Sequence, residues 1–293
     1  MGGLAYYHVD VFTRRPFGGN SLAVIPEAQG LSAEQMLVIT QELRHFESIF
    51  LEKMDDGMIR ARIFDLIEEL DFAGHPLLGA AAVMHQQAND PGRRQWTFQL
   101  NRKRVSVETS ATSNGYSASM DQGKPAFLTS MPDLARVKLA QALNLVENDL
   151  SPEHPCEVVD TGLRYLIVPL KRGLERAQIV DRDFAAFLTT FDAQFAYLFD
   201  VANSEGRHWN NDGVVEDIAT GSAAGTVGAY ALRHGLVEPD EEFVLHQGRF
   251  VGRPSQIRVC ASGSSSSVRR VIVGGDVAMV GYGQLHHAPR ISS

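Results

Sequence analysis

A weak self-similarity at about half the chain length constrains the fold more than any local motif, because a segment order used twice calls for two similar supersecondary units. GGNSLAVIP, Gly18 to Pro26, is matched by TGLRYLIVP, Thr161 to Pro169, each reading as a turn, a buried strand and a proline. FESIFL, Phe46 to Leu51, is matched by FAYLFD, Phe195 to Asp200, two short runs suited to β-strands. Two glycine-marked loops follow. Glu69 to Pro76 (ELDFAGHP) leads into LLGAAAVMH, and Glu216 to Ser222 (EDIATGS) leads into AAGTVGAYALRH, each a polar strand end entering a small-residue helix. Last, WTFQLNRKRVSVET from Trp96 and FVLHQGRFVGRPSQIRVC from Phe243 each read as two alternating runs about a turn. One such match is common by chance, whereas four in the same order are not.

The expected fold is therefore α+β, with two topologically similar halves, each offering several strands and one Ala/Gly-rich helix that suits a place surrounded by sheet. The boundary is expected in the turn-rich stretch Asp121 to Pro125. This gives an N-terminal half over 1–121, with a strand near 278–288 as a candidate to complete it, and a C-terminal half over 122–293. A further helix is expected over about Met131 to Val146, and SGSSSS, from Ser262, as a hairpin tip.

The 293 residues carry 27 Lys+Arg against 35 Asp+Glu, and 44% of them are hydrophobic, which excludes disordered and fibrous classes. No apolar run approaches the roughly 18 residues of a membrane span. The start MGGLAYYHVDVF reads as a strand and not as a secretory signal, so a cytoplasmic address is the default. The mildly acidic balance, without a long basic run, argues against a nucleic-acid or anionic-membrane surface. Cys156 and Cys260 stand far apart, and the histidines other than His75 show no ligand spacing and read as ordinary surface or core residues. No disulfide framework or metal site is expected. No GxGxxG follows a strand and no Walker loop occurs, so no cofactor is expected.

Two helix N-termini present unpaired backbone N–H groups and the positive ends of their dipoles, a natural cradle for a carboxylate. Gly74 and Gly221 mark these entrances, with His75 and Ser222 at equivalent places after them. Both side chains can bind a substrate, but Ser222 as a plain N-terminal cap and His75 as a satisfied loop histidine are the structural alternatives. Glu47 sits in the apolar stretch HFESIFL, where a charge is costly unless paired or functional, and the match sets it against Ala196. Asp217 lies four residues before Gly221, where the first half has Leu70. A Glu from one half and an Asp from the other would give an asymmetric acid/base site in a nearly symmetric frame. A solvent-facing strand residue, for Glu47, and a charge at a helix N-terminus, for Asp217, are the alternatives.

At these motifs the sequence resembles the PhzF family of phenazine-biosynthesis-like proteins, within the diaminopimelate epimerase-like fold. VDVFTRRPFGGNSLAVI, HFESIFL, FAGHPLLGAA, VVEDIATGSAAG and QGRFVGRPSQI stand in the family's order over essentially the whole chain. The resemblance implies two pseudo-symmetric domains, each a curved sheet or barrel around a central helix, with the active site in the cleft between them. It also implies homodimers and cofactor-independent proton transfer. Carried over residue by residue, it makes Glu47 the proton-transferring glutamate, accompanied by His75, Asp217 and Ser222. Gly19, Asn20, Gly74 and Gly221 are implied as substrate-binding positions. The paired thiols of the racemase relatives are not found at the corresponding loops. Leu77, Ile218 and Ser48 depart from the usual pattern, and are expected to reshape the walls of the site.

The function expected is a cofactor-independent isomerase of a small carboxylate-bearing metabolite, with Glu47 moving a proton at carbon. A non-catalytic carboxylate-binding protein is the alternative from another class, and an epimerase or dehydratase of an amino or hydroxy acid is the enzymatic variant.

Overall fold

The computed structural model describes residues 3–54 and 58–291. The chain divides into two compact units: the chain up to Asp121 together with the chain from Gly274 onward, and Gln122–Val273.

The first unit contains β1 (Leu4–Val11), β2 (Asn20–Ile25), α1 (Ala33–Leu43), β3 (Glu47–Lys53), β4 (Ile59–Asp65), the two-residue β5 (Glu69–Leu70), α2 (Gly74–Ala88), β6 (Arg93–Gln99), β7 (Arg104–Thr112) and β8 (Gly115–Gly123), whose last two residues fall to the second unit. The second contains β9 (Ala126–Ser130), α3 (Arg136–Ala142), β10 (Glu157–Asp160), β11 (Arg164–Leu170), α4 (Phe184–Thr189), β12 (Phe195–Asp200), β13 (Glu205–Arg207), α5 (Gly221–Arg233), β14 (Glu242–Gln247) and β15 (Ser255–Ser264). The long β16 (Ser267–Leu285) contributes residues up to Val273 to the second unit and residues from Gly274 to the first.

In the first unit the strands run in the order β1-β2-β3-β4-β6-β7-β8-β16, and β16 pairs back onto β1 from Leu4↔Leu285 to Val11↔Val277, closing an eight-stranded barrel. Closure removes the free edges that an open sheet would expose. The helix α2 packs against β1, β2, β3, β6 and β7, and every residue from Gly74 to Val83 is buried. This explains its composition: small side chains at Gly79 to Ala82 let the strands of the barrel come close to the helix. A Cβ at Gly79 would lie 2.4 Å from Leu22 Cδ2 and 3.1 Å from Val9 Cγ2. Outside the barrel, Met36 and Ile39 of α1 cover Ala23, Ile25, Phe50 and Phe64. Strands β2 and β3 are thus buried on both faces, with successive residues alternating between α2 and α1. Ser32 opens α1 with a capping box, its hydroxyl taking the Gln35 N–H and its own N–H reaching the Gln35 side chain.

The second unit repeats this grammar: β10-β11 antiparallel, β11-β12 parallel, β12-β13 antiparallel, β13-β14 parallel and β14-β15 antiparallel. It matches β1-β2, β2-β3, β3-β4, β4-β6 and β6-β7 pair for pair. Helix α5 packs against β10, β11 and β15, and a Cβ at Gly228 would lie 2.3 Å from Val259 Cγ1. The helix expected to Val146 is shorter. Helix α3 stops at Ala142, and Asn144 adopts a left-handed φ of 57°, a conformation that ends helices. The Ser-rich hairpin tip narrows to the turn between Ser264 and Ser267.

Candidate active site

In the first unit, the parallel pairing Leu22↔Glu47 puts the starts of β2 and β3 at one end of the barrel. The hairpin before β2 is built on Gly19, whose φ of 58° is left-handed and whose missing Cβ would meet Val11 O at 2.3 Å. Gly19 thus answers to the turn itself. Asn20 follows it, buried, opposite Val11. Glu47 opens β3 only 8% exposed, which replaces the solvent-facing alternative. Its Oε2 lies 3.6 Å from Nδ1 of His75, the second residue of α2. The N-cap of α2 is Ala73, which has no side chain to bond the first-turn N–H groups. A buried carboxylate, an imidazole and an uncapped helix N-terminus therefore meet in one place.

The loop leading to α2 is fixed from outside. Arg62 holds Glu69 through two hydrogen bonds, and Asn101 donates to the same carboxylate at 3.1 Å. Arg102 pairs with Asp71 at 3.0 Å, and the Lys103 ammonium lies 3.5 Å from the centre of the Phe72 ring. Arg102 and Lys103, in the turn between β6 and β7, thus contact the residues just before Gly74.

In the second unit the N-cap of α5 is Thr220, also without a side-chain cap bond, so Ser222, the second helical residue, is not the cap. The Ser222 hydroxyl shares a 2.9 Å hydrogen bond with that of Tyr165. Asp217 is half-buried and accepts from the Thr220 hydroxyl at 2.7 Å, while its own N–H donates to His208 O at 2.9 Å. The segment carrying it is anchored by its neighbour: Glu216 takes two hydrogen bonds from Arg207, and Trp209 bridges Glu216. Arg207 is itself buried between the rings of Trp209 and Phe250, 4.4 Å from each centre, and donates to the carbonyls of Leu174, Glu175 and Ala177. Burial pushes the His208 imidazole below its ordinary range, against the opposing pull of Asp217 and of the Ala196 carbonyl. Because that carbonyl can only accept, Nδ1 of His208 carries the proton at 3.0 Å from Ala196 O and leaves Nε2 as an acceptor.

Sequence reasoning missed Tyr165, Thr220, His208 and Gln247, and dismissed His208 as an ordinary histidine. It also slipped the repeat by one residue. Leu22 and Tyr165 each stand four residues before the matched proline, and the ladders pair Leu22 with Glu47 but Tyr165 with Phe195, so the counterpart of Glu47 is Phe195 and not Ala196. Of the three departures, Ser48 lies on the face of β3 opposite to Glu47 and Leu77 is fully buried in α2. Leu77 lies in the first turn of α2, and half-buried Ile218 stands three residues before α5. A groove of about 1350 Å³ in the first unit, lined by Leu31, Gln35 and Pro289, does not include Glu47 or His75. Among the described residues, no helix is long and apolar enough to cross a membrane.

Known proteins resemble this chain in sequence and in fold. A trans-2,3-dihydro-3-hydroxyanthranilate isomerase of Pseudomonas chlororaphis is 32% identical, over 96% of this chain and 98% of its own. The structure of a predicted epimerase from Pseudomonas aeruginosa superposes with a TM-score of 0.90 at 44% identity, covering 97% of this chain and 100% of that one. A PhzF family protein from Bacillus anthracis shares the fold at a TM-score of 0.83 and 23% identity, covering 97% and 99%. The model of the phenazine biosynthesis-like family, PhzC-PhzF, matches residues 9–283, and the chain belongs to that family of isomerases.

Proposed function

We propose that this enzyme, an isomerase by its family, moves a proton between carbons of a small carboxylate-bearing metabolite with Glu47 as the acid/base. The observation that carries this reading is the buried Glu47 carboxylate facing His75 at the uncapped N-terminus of α2. A carboxyl group in a dry site is a competent carbon base, and positioned acid/base groups typically contribute about 10²–10⁴-fold. First-turn N–H groups supply preorganised donors for the charge that develops on the substrate. His75, at 3.6 Å, is close enough to exchange a proton with Glu47 after a small rotation. Within the second unit taken by itself, Ser222 and the first turn of α5 present donors and Asp217 an acceptor, and we propose both side chains as functional. Asn20, Gly74 and Gly221 are proposed as substrate-binding positions, and Gly19, expected among them, serves by shaping the turn that carries Asn20.

The test is deuterium incorporation in D₂O, followed by NMR, with a panel of amino, hydroxy and cyclic unsaturated carboxylic acids that includes trans-2,3-dihydro-3-hydroxyanthranilate. Exchange into carbon is expected for the wild type and is abolished in Glu47→Gln. Exchange that persists undiminished in Glu47→Gln overturns the assignment, and binding without exchange points instead to a metabolite-binding protein.

A further inference from the structure

Gln247 lies at the end of β14, 1% exposed, and its amide touches four polar groups. Its Oε1 receives the backbone N–H of Thr220 at 3.1 Å and the Tyr197 hydroxyl at 3.0 Å. Its Nε2 donates to the backbone carbonyl of Asp217 at 2.9 Å and to Thr220 Oγ1 at 2.9 Å. Two of these partners are backbone groups whose roles cannot be exchanged: an N–H only donates and a carbonyl only accepts. They fix which end of the amide is which, so its orientation is determined by the network and not by choice.

The polarity then propagates. Because an Nε2 hydrogen occupies a lone pair of Thr220 Oγ1, the hydroxyl hydrogen of Thr220 has to point away, and Asp217 Oδ2 lies 2.7 Å off to receive it. The far end of the chain is equally committed. Tyr197 is fully buried, burial pushes its phenol well above the ordinary range, and it therefore stays a donor to Oε1. Its ring fits only because Gly206 leaves space, since a Cβ there would lie 2.2 Å from Tyr197 Cε1.

We propose that Gln247 is a positioning residue which, through Thr220, directs a hydroxyl hydrogen onto Asp217 Oδ2 and so presents Asp217 as an oriented acceptor. The inference rests on the proposed isomerase reading only for the use made of Asp217. Neither Gln247 nor Thr220 meets the substrate in this scheme.

The experiment needs no substrate. Protein carrying ¹³C at the aspartate side-chain carboxyl is observed by NMR at neutral pH, with the Asp217 resonance assigned by its loss in Asp217→Asn. Thr220→Val keeps the shape and removes the hydroxyl; Thr220→Ser keeps the hydroxyl; Gln247→Glu keeps the size and removes the donor that orients it. The Asp217 carboxyl resonance is expected to shift in Thr220→Val and in Gln247→Glu and to stay at the wild-type position in Thr220→Ser. An unmoved resonance in Thr220→Val, or a shift in Thr220→Ser as large as in Thr220→Val, overturns the proposal. An unmoved Asp217 resonance in Gln247→Glu likewise overturns the role of Gln247, and Gln247→Met, which removes both the donor and the acceptor, takes its place if Gln247→Glu does not fold. Failure of Glu47-dependent exchange leaves this resonance untouched, so the two readings fall separately.

Discussion

Glu47 and His75 are both buried, Glu47 at 8% and His75 at 5% exposure, with the carboxylate and the imidazole 3.6 Å apart. Replacing His75 by Gln keeps a polar side chain but removes the group that can take up and return a proton. We expect kcat for deuterium exchange to fall by about 100-fold, the lower end of what acid/base groups contribute. Steady-state exchange rates check this, and an effect confined to KM would reassign His75 to binding. His208 makes a different prediction, about stability. Its folded-state proton affinity is lowered by burial, so the unfolded chain binds the proton more readily. The contribution is therefore complete above the unfolded value of about 6.5 and is lost as pH falls below it. Urea midpoints at pH 7.5 and pH 5.5 should differ less in His208→Asn than in the wild type, and an unchanged difference would remove His208 from the account.

The elements around the second helix entrance are held by one buried cation. Arg207 combines a two-point pair with Glu216, two aromatic faces and three carbonyls, a set that suits a planar guanidinium and not a lysine ammonium. Arg207→Met leaves the Glu216 carboxylate, its side chain 9% exposed, without its cation, and should cost about 3 kcal/mol in urea unfolding. Arg207→Lys should recover only part of that, since the fork is lost. Much of the architecture at this scale was legible in the sequence. Gly18–Pro26 and Thr161–Pro169, the two glycine loops and the two hairpins are local patterns, and each became the corresponding turn, strand or helix. What escaped depends on partners distant in sequence. Gln247 meets Thr220 across 27 residues and Tyr165 meets Ser222 across 57, contacts made by sheet register and invisible to periodicity. The one-residue slip at Glu47 has the same origin, because Phe46 and Phe195 look alike in sequence while only the parallel ladder shows which residue lies beside Leu22. The candidate residues were legible as types in costly places, an acid in HFESIFL and a histidine after Gly74, and the hydrogen-bond chain behind Asp217 was not.

On the scale of the whole molecule, the closing stave of the first barrel comes from the last part of the chain, where Val277 to Leu285 pair with β1. A chain ending at Val273 would keep β2 to β7 but expose one edge each of β1 and β8, and we expect it to aggregate or be cleaved rapidly in limited proteolysis within residues 3–121. A truncated protein as resistant there as the wild type would contradict this. The same feature sets an order on biosynthesis. Strand β1 is made before Gln122–Val273 and its partner residues in β16 after it, so Gln122–Val273, with its own helix and strands, is synthesised in full before β1 can pair. The amino-terminal barrel is thus the later of the two to become complete, and throughout translation it depends on whatever keeps unpaired β-edges from one another in a crowded cell.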